Sequence, residues 1–316
     1  MAGKRGRRDT SRVSRSGRGR DGEPRPTGPG GRGTRLTHGV VSTAYLDVRR
    51  RPGHGRELTS QLLLGEVVLV LGSRSGGAWL HVECVADGYR GWVREGGLVL
   101  VARPRAMSWV AKAGARVGVP TAEVRARPGD GVLVSPLFLN SRVIVTGRRG
   151  PWSRVELPDG RRGWLPGRAL AGPDERPSLL ERVTSLLGVP YHWGGRTPAG
   201  FDCSGFTQQV LAEQGIRLPR DAVRQMRACR RLREGEEPAP GDLVFFGAPR
   251  RPIGHVGIGL GGGYFAHCRG MVRIGSCEPR NVLWDSGLWQ MSRGWRRPAE
   301  SGLLAGPWVP RRPESA

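Results

Sequence analysis

One cysteine and two histidines stand where a covalent catalytic site could be assembled. In Phe201-Asp202-Cys203-Ser204-Gly205-Phe206 an extended run rich in Gly and Pro (Tyr191 to Gly200) gives way to a helical pattern. Phe206, Val210 and Leu211 fall at helical spacing, and Gly215 provides a stop. Cys203 is therefore expected at a helix N-terminus, where unpaired N–H groups and the helix dipole favour a thiolate. Taken alone, Cys203 could equally be a buried structural thiol. Two later segments change its meaning: Gly254-His255-Val256-Gly257-Ile258 and Tyr264-Phe265-Ala266-His267, separated by Gly261-Gly262-Gly263. A hairpin centred on Gly261 makes the two histidines direct cross-strand neighbours on one face, with Cβ atoms about 4.5–5.5 Å apart. A nucleophile at a helix start, a base, and a third group that orients the base is the recurring logic of covalent catalysis. His255 would deprotonate Cys203 or form an ion pair with it, then protonate the leaving amine, while His267 holds the His255 tautomer.

Several elements must hold these groups in place. Pro177 suits a first helical position, and Leu179, Leu180, Val183, Leu186 and Leu187 form an apolar stripe ending at Gly188. After the Cys203 helix, Leu218-Pro219-Arg220-Asp221 introduces a short helix through Cys229. Strands are expected over 242–246, 255–260 and 263–268. Helices followed by an antiparallel sheet read as an α+β domain over 173–300.

Upstream lies an internal repeat. Trp79-Leu80-His81-Val82-Glu83, then Asp87-Gly88-Tyr89-Arg90-Gly91-Trp92-Val93, matches Trp152-Ser153-Arg154-Val155-Glu156, then Asp159-Gly160-Arg161-Arg162-Gly163-Trp164-Leu165. In each copy two alternating strands flank an Asp-Gly turn, a strong hairpin signal. A β-branched or apolar strand precedes each copy. The pattern predicts two small β-barrels, 39–100 and 101–172, with the Trp pairs in their cores. A linker around Gly172 to Pro177 leads into the third domain, and residues 301–316 form a C-terminal tail.

Residues 1–38 hold eleven basic and three acidic residues among Gly, Ser, Thr and Pro. Such a segment buries too little apolar surface to offset its ordering entropy and is expected to be a disordered basic tail. It lacks the apolar stretch of a secretory signal, so the expected location is the cytoplasm; a misassigned start would reverse this in favour of the extracellular side. No run approaches the ~18 apolar residues of a membrane span.

The net charge of +24 invites a nucleic-acid reading. Against it, all basic residues except Lys4 and Lys112 are arginines, a bias that reads as GC-rich coding alongside 51 glycines. Basic residues are spread along the whole chain without a basic helix or interleaved stacking aromatics. No nucleic-acid partner is expected, although attraction to anionic polymers is physically reasonable. The five cysteines are odd in number and show no zinc spacing, so neither a disulfide framework nor a metal site is expected, and Cys229, Cys268 and Cys277 read as small apolar fillers.

The order Asp-Cys-Ser-Gly at a helix start, Gly-Asp-Leu-Val-Phe-Phe, His-Val-Gly-Ile and a final strand His resembles the NlpC/P60 family of papain-like cysteine peptidases, over roughly residues 177–300. Two preceding SH3-like barrels and Gly194-Gly195-Arg196-Thr197-Pro198 narrow the resemblance to the YkfC-type γ-D-glutamyl-L-diamino acid endopeptidases. It implies hydrolysis of the γ-D-glutamyl–diamino acid bond in peptidoglycan stem peptides, with a preference for a free N-terminal L-Ala. Cys203 matches the nucleophile, His255 the base and His267 the third polar group. Tyr191 matches the tyrosine of a Tyr-x-Trp-Gly-Gly run beside the oxyanion site; its other reading is a packing aromatic. Asp202, Ser204 and Asp221 match positions along the substrate groove, and Asp221 could instead cap a helix. Tyr89 matches a position that closes the substrate pocket, or is a hairpin-edge aromatic. An acidic residue of the first barrel contacts the amine in relatives; Asp47, Glu57 and Glu83 stay open for that role.

The expected molecule is thus a monomeric cysteine peptidase with a papain-like α+β domain behind two SH3-like barrels, needing no cofactor. Rival readings are a wall-binding protein with an inactive third domain, and a papain-like acyltransferase. The diamino acid is left open among diaminopimelate, lysine and ornithine.

Overall fold

The computed structural model describes residues 36–172 and 176–298. Residues 1–35 of the expected disordered tail, the C-terminal tail and part of the linker at 173–175 lie outside the described residues; His38, placed at the end of that tail, is instead buried and opens the first strand.

Seven short strands come first: β1 (His38–Val41), β2 (Tyr45–Arg49), β3 (Leu58–Leu63), β4 (Val67–Arg74), β5 (Trp79–Cys84), β6 (Arg90–Arg94) and β7 (Leu98–Val101). They form one sheet in the order β3-β2-β6-β5-β4-β1-β7. Helix α1 (Arg103–Lys112) follows, and then β8 (Ala115–Val117), β9 (Thr121–Arg125), β10 (Leu133–Phe138), β11 (Arg142–Arg149), β12 (Trp152–Glu156), β13 (Arg162–Pro166) and β14 (Leu170–Ala171). Their order, β10-β9-β13-β12-β11-β8-β14, repeats that of the first sheet strand for strand. Both copies carry a bulge at the same place, between Val70 and Gly72 in one and between Val145 and Gly147 in the other.

The first sheet closes over Val41, Leu46, Val48, Leu62, Val68, Leu80, Val82 and Val93, the second over Val117, Val124, Leu137, Val143, Val155 and Leu165. These cores are aliphatic, which corrects the assignment of the Trp pairs. Strand side chains alternate faces. With Leu80, Val82 and Val93 inside, Trp79 and Trp92 must point outward. Trp79 is still buried, because His54 packs edge-on at 5.2 Å and Arg94 lies over the ring at 5.5 Å. Trp92, Trp152 and Trp164 are half-buried.

Helix α1 escaped the sequence reading, which ran the second barrel from residue 101. Ala106 and Trp109 bury against Val40, Val67 and Val101, and the Trp109 indole donates to the Gly65 carbonyl at 3.0 Å. The same turn of the first sheet supplies Leu64 to the second core, so the two sheets share a packed junction.

The remaining elements are α2 (Leu179–Thr184), β15 (Arg196–Thr197), β16 (Gly200–Phe201), α3 (Cys203–Glu213), α4 (Ala222–Ala228), β17 (Cys229–Arg231), β18 (Leu243–Phe246), β19 (His255–Gly261), β20 (Tyr264–Arg269), β21 (Met271–Ser276), α5 (Ser286–Trp289) and β22 (Ser292–Pro298). Helix α2 begins one residue past Ser178, whose side chain forms a reciprocal capping box with Glu181. Pro177 therefore precedes the cap instead of opening the helix. The final sheet has the order β17-β22-β18-β19-β20-β21, and α3 packs across it through Phe206, Val210 and Leu211. Strands β17, β21 and β22 were not anticipated; their arginines interrupt the apolar runs that mark a strand. Among the described residues no helix is long and apolar enough to cross a membrane.

Candidate active site

Helix α3 starts at Cys203 because Asp202 caps it, accepting the Gly205 N–H at 2.6 Å. The Cys203 side chain is buried, and its Sγ lies 3.9 Å from the Gly254 carbonyl oxygen. The Val256 N–H is directed at the same sulfur. Those two groups flank His255 in the chain, so the sulfur sits at the mouth of β19 where His255 begins it.

The histidines are close but not directly opposed. The hairpin turns at Gly262 and Gly263, both at positive φ (58° and 79°), and the register slips between Gly259 and Gly261. A two-residue turn of this kind suits the right-handed twist of the flanking strands. His267 then faces Gly257, and His255 lies on the diagonal of the same face. This corrects the direct pairing expected from a hairpin centred on Gly261. Contact survives: His255 Nε2 and His267 Nδ1 are 2.8 Å apart, with the rings edge to face.

Burial sets the protonation states. It pushes the Cys203 thiol up to about 12, with the Asp202 charge adding; the Val256 N–H, Arg220 and the Ser204 N–H pull the other way without prevailing. The resting sulfur is a thiol, contrary to the thiolate expected from the helix start alone. Burial, then Arg269 and Arg273, lowers His255 to about 4. His267 is lowered to about 3 by burial, by His255 and by the same two arginines, against Asp285. Two neutral imidazoles sharing one hydrogen bond need one donor and one acceptor. If His255 Nε2–H donates to His267 Nδ1, the unbonded His255 Nδ1 is free to act as a base.

Tyr191 is held beside this group by its N–H bond to the Gly270 carbonyl at 2.7 Å and a bridge to Phe201. Its hydroxyl pKa is raised by burial and then by Cys203 and Asp202, which places the phenol near the nucleophile.

Asp202 and Ser204 behave differently from the groove residues expected. Besides capping α3, the Asp202 carboxylate accepts the Gly194 N–H at 3.0 Å and a two-pronged pair from Arg220 at 3.0 and 2.6 Å. The Ser204 hydroxyl bonds Asp202 at 3.2 Å and Arg220 at 3.0 Å. Their side chains bond internal partners, so both help to position Cys203. Asp221 occupies the N-cap position of α4 without making the cap bond. Its partly exposed carboxylate lies 3.8 Å from Arg224 and faces the Tyr89 hydroxyl, whose pKa is raised by burial and then by Asp221. Tyr89 itself donates to the Thr59 carbonyl at 3.4 Å. Tyr89 and Asp221 thus meet where the first barrel abuts the Cys203 domain.

Two arginines missed in the sequence complete this junction. Arg220, 2% exposed, reaches from Asp202 to the Ser60 hydroxyl of β3 at 3.0 Å. Arg196 donates to the Gln61 carbonyl at 2.6 Å and pairs with Glu66 at 3.0 Å. Gly194, at φ +77°, lies against β3 so closely that a Cβ would stand 2.8 Å from Leu58. Of the three acids left open in the first barrel, Asp47, Glu57 and Glu83 pair with Arg49, Arg50 and Arg90 of the barrel itself.

Comparison with known proteins gives this architecture its class: a papain-like cysteine peptidase domain with an SH3 module docked on it. The NlpC/P60 family matches residues 188–293, and the bacterial dipeptidyl-peptidase SH3 domain matches residues 48–98. A probable endopeptidase of Haemophilus influenzae is 35% identical over 117 residues, 36% of this chain and 72% of that one. The γ-D-glutamyl-L-lysine dipeptidyl-peptidase of Bacillus cereus is 28% identical over 239 residues, 70% of each chain. The crystal structure of an NlpC/P60 family protein from Bacillus cereus covers 83% of this chain and 99% of its own, with a TM-score of 0.71 at 23% identity, a likeness of fold. The chain belongs to the NlpC/P60 family and is a hydrolase of the peptidase type.

Proposed function

We propose that the protein is a cysteine endopeptidase that hydrolyses the γ-D-glutamyl–L-diamino acid bond of peptidoglycan stem peptides carrying a free N-terminal L-Ala. One observation carries the reading: the Cys203 sulfur lies between backbone groups flanking His255, and His255 is hydrogen-bonded to His267.

With thiol and imidazole both neutral at rest, the reaction starts as general-base catalysis. His255 Nδ1 takes the thiol proton as the sulfur bonds the scissile carbonyl carbon. The developing oxyanion meets the Cys203 N–H, which the Asp202 cap leaves free, with the Tyr191 hydroxyl nearby. The imidazolium then protonates the leaving amine as the C–N bond breaks. Water, deprotonated by His255, cleaves the thioester and restores the thiol. His267 keeps Nδ1 of His255 as the reacting nitrogen throughout.

The substrate assignment is supported by the name of the Bacillus cereus relative and by the matched dipeptidyl-peptidase SH3 domain. A free ammonium fits between the Asp221 carboxylate and the Tyr89 hydroxyl as a charge-assisted contact. We also read residues 115–171 as a second SH3-like barrel, on the strength of the repeated strand order.

The test uses L-Ala-γ-D-Glu-diaminopimelate and its lysine counterpart. Cys203→Ala should lose at least about a thousandfold in kcat, the scale seen when one member of a catalytic unit is removed. Equal cleavage by wild type and variant would sink the reading. Acetylating the L-Ala amine should cost at least about tenfold in kcat/KM, as one charge-assisted contact is lost; an unchanged rate would remove the amine preference alone.

A further inference from the structure

A cleft of about 910 Å³ opens where the second seven-stranded sheet meets the far end of α3, lined by Arg142, Arg148, Arg168 and Trp152. From Cys203 to Glu213 the helix rises about 15 Å, so this cleft is remote from the sulfur. A neighbouring cleft of about 590 Å³, lined by Arg127 and Arg149, shares Gly150, Pro151 and Trp152 with the first. The two clefts are therefore neighbours at the tip of the β11–β12 hairpin, with Trp152 in the wall of both.

Their charge is one-sided. Glu213 in the first wall is already spent on Arg116 and Arg182, and Asp130 in the second lies 3.5 Å from Arg127. Among the described residues, Arg142, Arg148, Arg149 and Arg168 make no ion pair. The Arg142 guanidinium is lowered by desolvation and then by the like charges of Arg116 and Arg217, against the opposite charge of Glu66.

We propose that these clefts together bind an anionic polymer whose repeat carries an oxyanion, phosphodiester or carboxylate, on a sugar or polyol unit that packs against Trp152. Planar guanidinium forks match such oxyanions in a way that point charges do not. Two neighbouring arginine-lined clefts suit a chain better than a single ion. One aromatic platform suits a sugar; a single-stranded nucleic acid would need successive stacking surfaces along its path. The clefts would hold the protein on an anionic matrix while Cys203, at the other end of α3, stays open.

The experiment titrates the full chain with poly(glycerol phosphate), oligogalacturonate, neutral dextran and single-stranded DNA at fixed salt. At least one of the two charged glycan-type polymers should bind, more weakly as salt rises, and dextran should not. Tighter binding of poly(glycerol phosphate) identifies a phosphodiester ligand, tighter binding of oligogalacturonate an acidic glycan. Arg148→Glu with Arg168→Glu, both exposed, should weaken binding at least about tenfold, as two phosphate-type contacts are lost. Stem-peptide hydrolysis by that variant should equal wild type, which separates this proposal from the peptidase reading. Arg74→Glu with Arg231→Glu makes the same change in net charge elsewhere and should stay within about twofold, because distant surface charges are screened. The proposal is overturned if neither charged polymer binds, if both double variants weaken binding equally, or if DNA binds tighter than either polymer.

Discussion

The two seven-stranded sheets share one strand order, one bulge position and one kind of aliphatic core, yet they serve opposite ends of α3. The first lends polar groups to the helix start: Ser60 meets Arg220, Gln61 and Glu66 meet Arg196, and Tyr89 meets Asp221. The second holds the helix end: Arg116 reaches Glu213 at 2.9 Å, Asn140 donates to the Gln209 carbonyl at 3.0 Å, and the Gly118 carbonyl accepts from Arg182. A repeated fold thus carries unlike work, decided by a few edge and loop side chains. Function lives in such sites and not in the barrel that displays them.

This contrast can be broken most directly at Arg220. Arg220→Met strands a buried carboxylate at the cap of the nucleophile helix, so unfolding free energy should fall by about 3–5 kcal/mol. Turnover should fall with it, by more than about tenfold, since a misplaced nucleophile is costly. At the other end, Glu213→Gln strips Arg182 and Arg116 of their partner and should cost about 3 kcal/mol. Its kcat should stay within about threefold of wild type when assayed well below the melting temperature, because it touches no reacting group. Denaturant melts paired with kcat measurements check both; matching kcat losses in the two variants would erase the distinction between the ends.

The helix start can also be probed by pH. With His255 lowered from 6.5 to about 4, the acid limb of kcat/KM should lie near pH 4. An acid limb near 6.5 would show the base to be solvated. The same shift has a stability consequence. The unfolded chain binds protons at His255 and His267 that the folded chain refuses, so stability is full above the ordinary imidazole value and declines as pH falls towards about 3. The smallest effect is expected at Ser60→Ala, which removes one hydrogen bond to Arg220 and should cost about 1–2 kcal/mol. Its kcat should drop less than in Arg220→Met, measured under the same conditions.

Much of the candidate site could be read from residue order. Cys203, His255 and His267 are rare residue types in a chain with only five cysteines and six histidines, and the first two each open a recognisable element. The junction roles of Arg220 and Arg196 were not legible, although both stand in runs the sequence singled out; only burial beside Asp202 and Glu66 marks them off from 47 other arginines. The outward-facing Trp residues were misread because Gly-Trp hides which of the two points inward, until Val93 and Leu165 set the parity. The diagonal histidine pairing depends on where three consecutive glycines turn, and no side chain there announces it.

Holding Cys203 as a buried thiol has a chemical consequence beyond proton transfer. Peroxides and alkylating reagents react with thiolate, so the resting sulfur should climb the oxidation ladder slowly despite its place at a helix start. Its nucleophilic form arises only as a substrate carbonyl takes the sulfur's electrons. A cysteine held in this way keeps its thiol through exposure to oxidants that would consume a free thiolate.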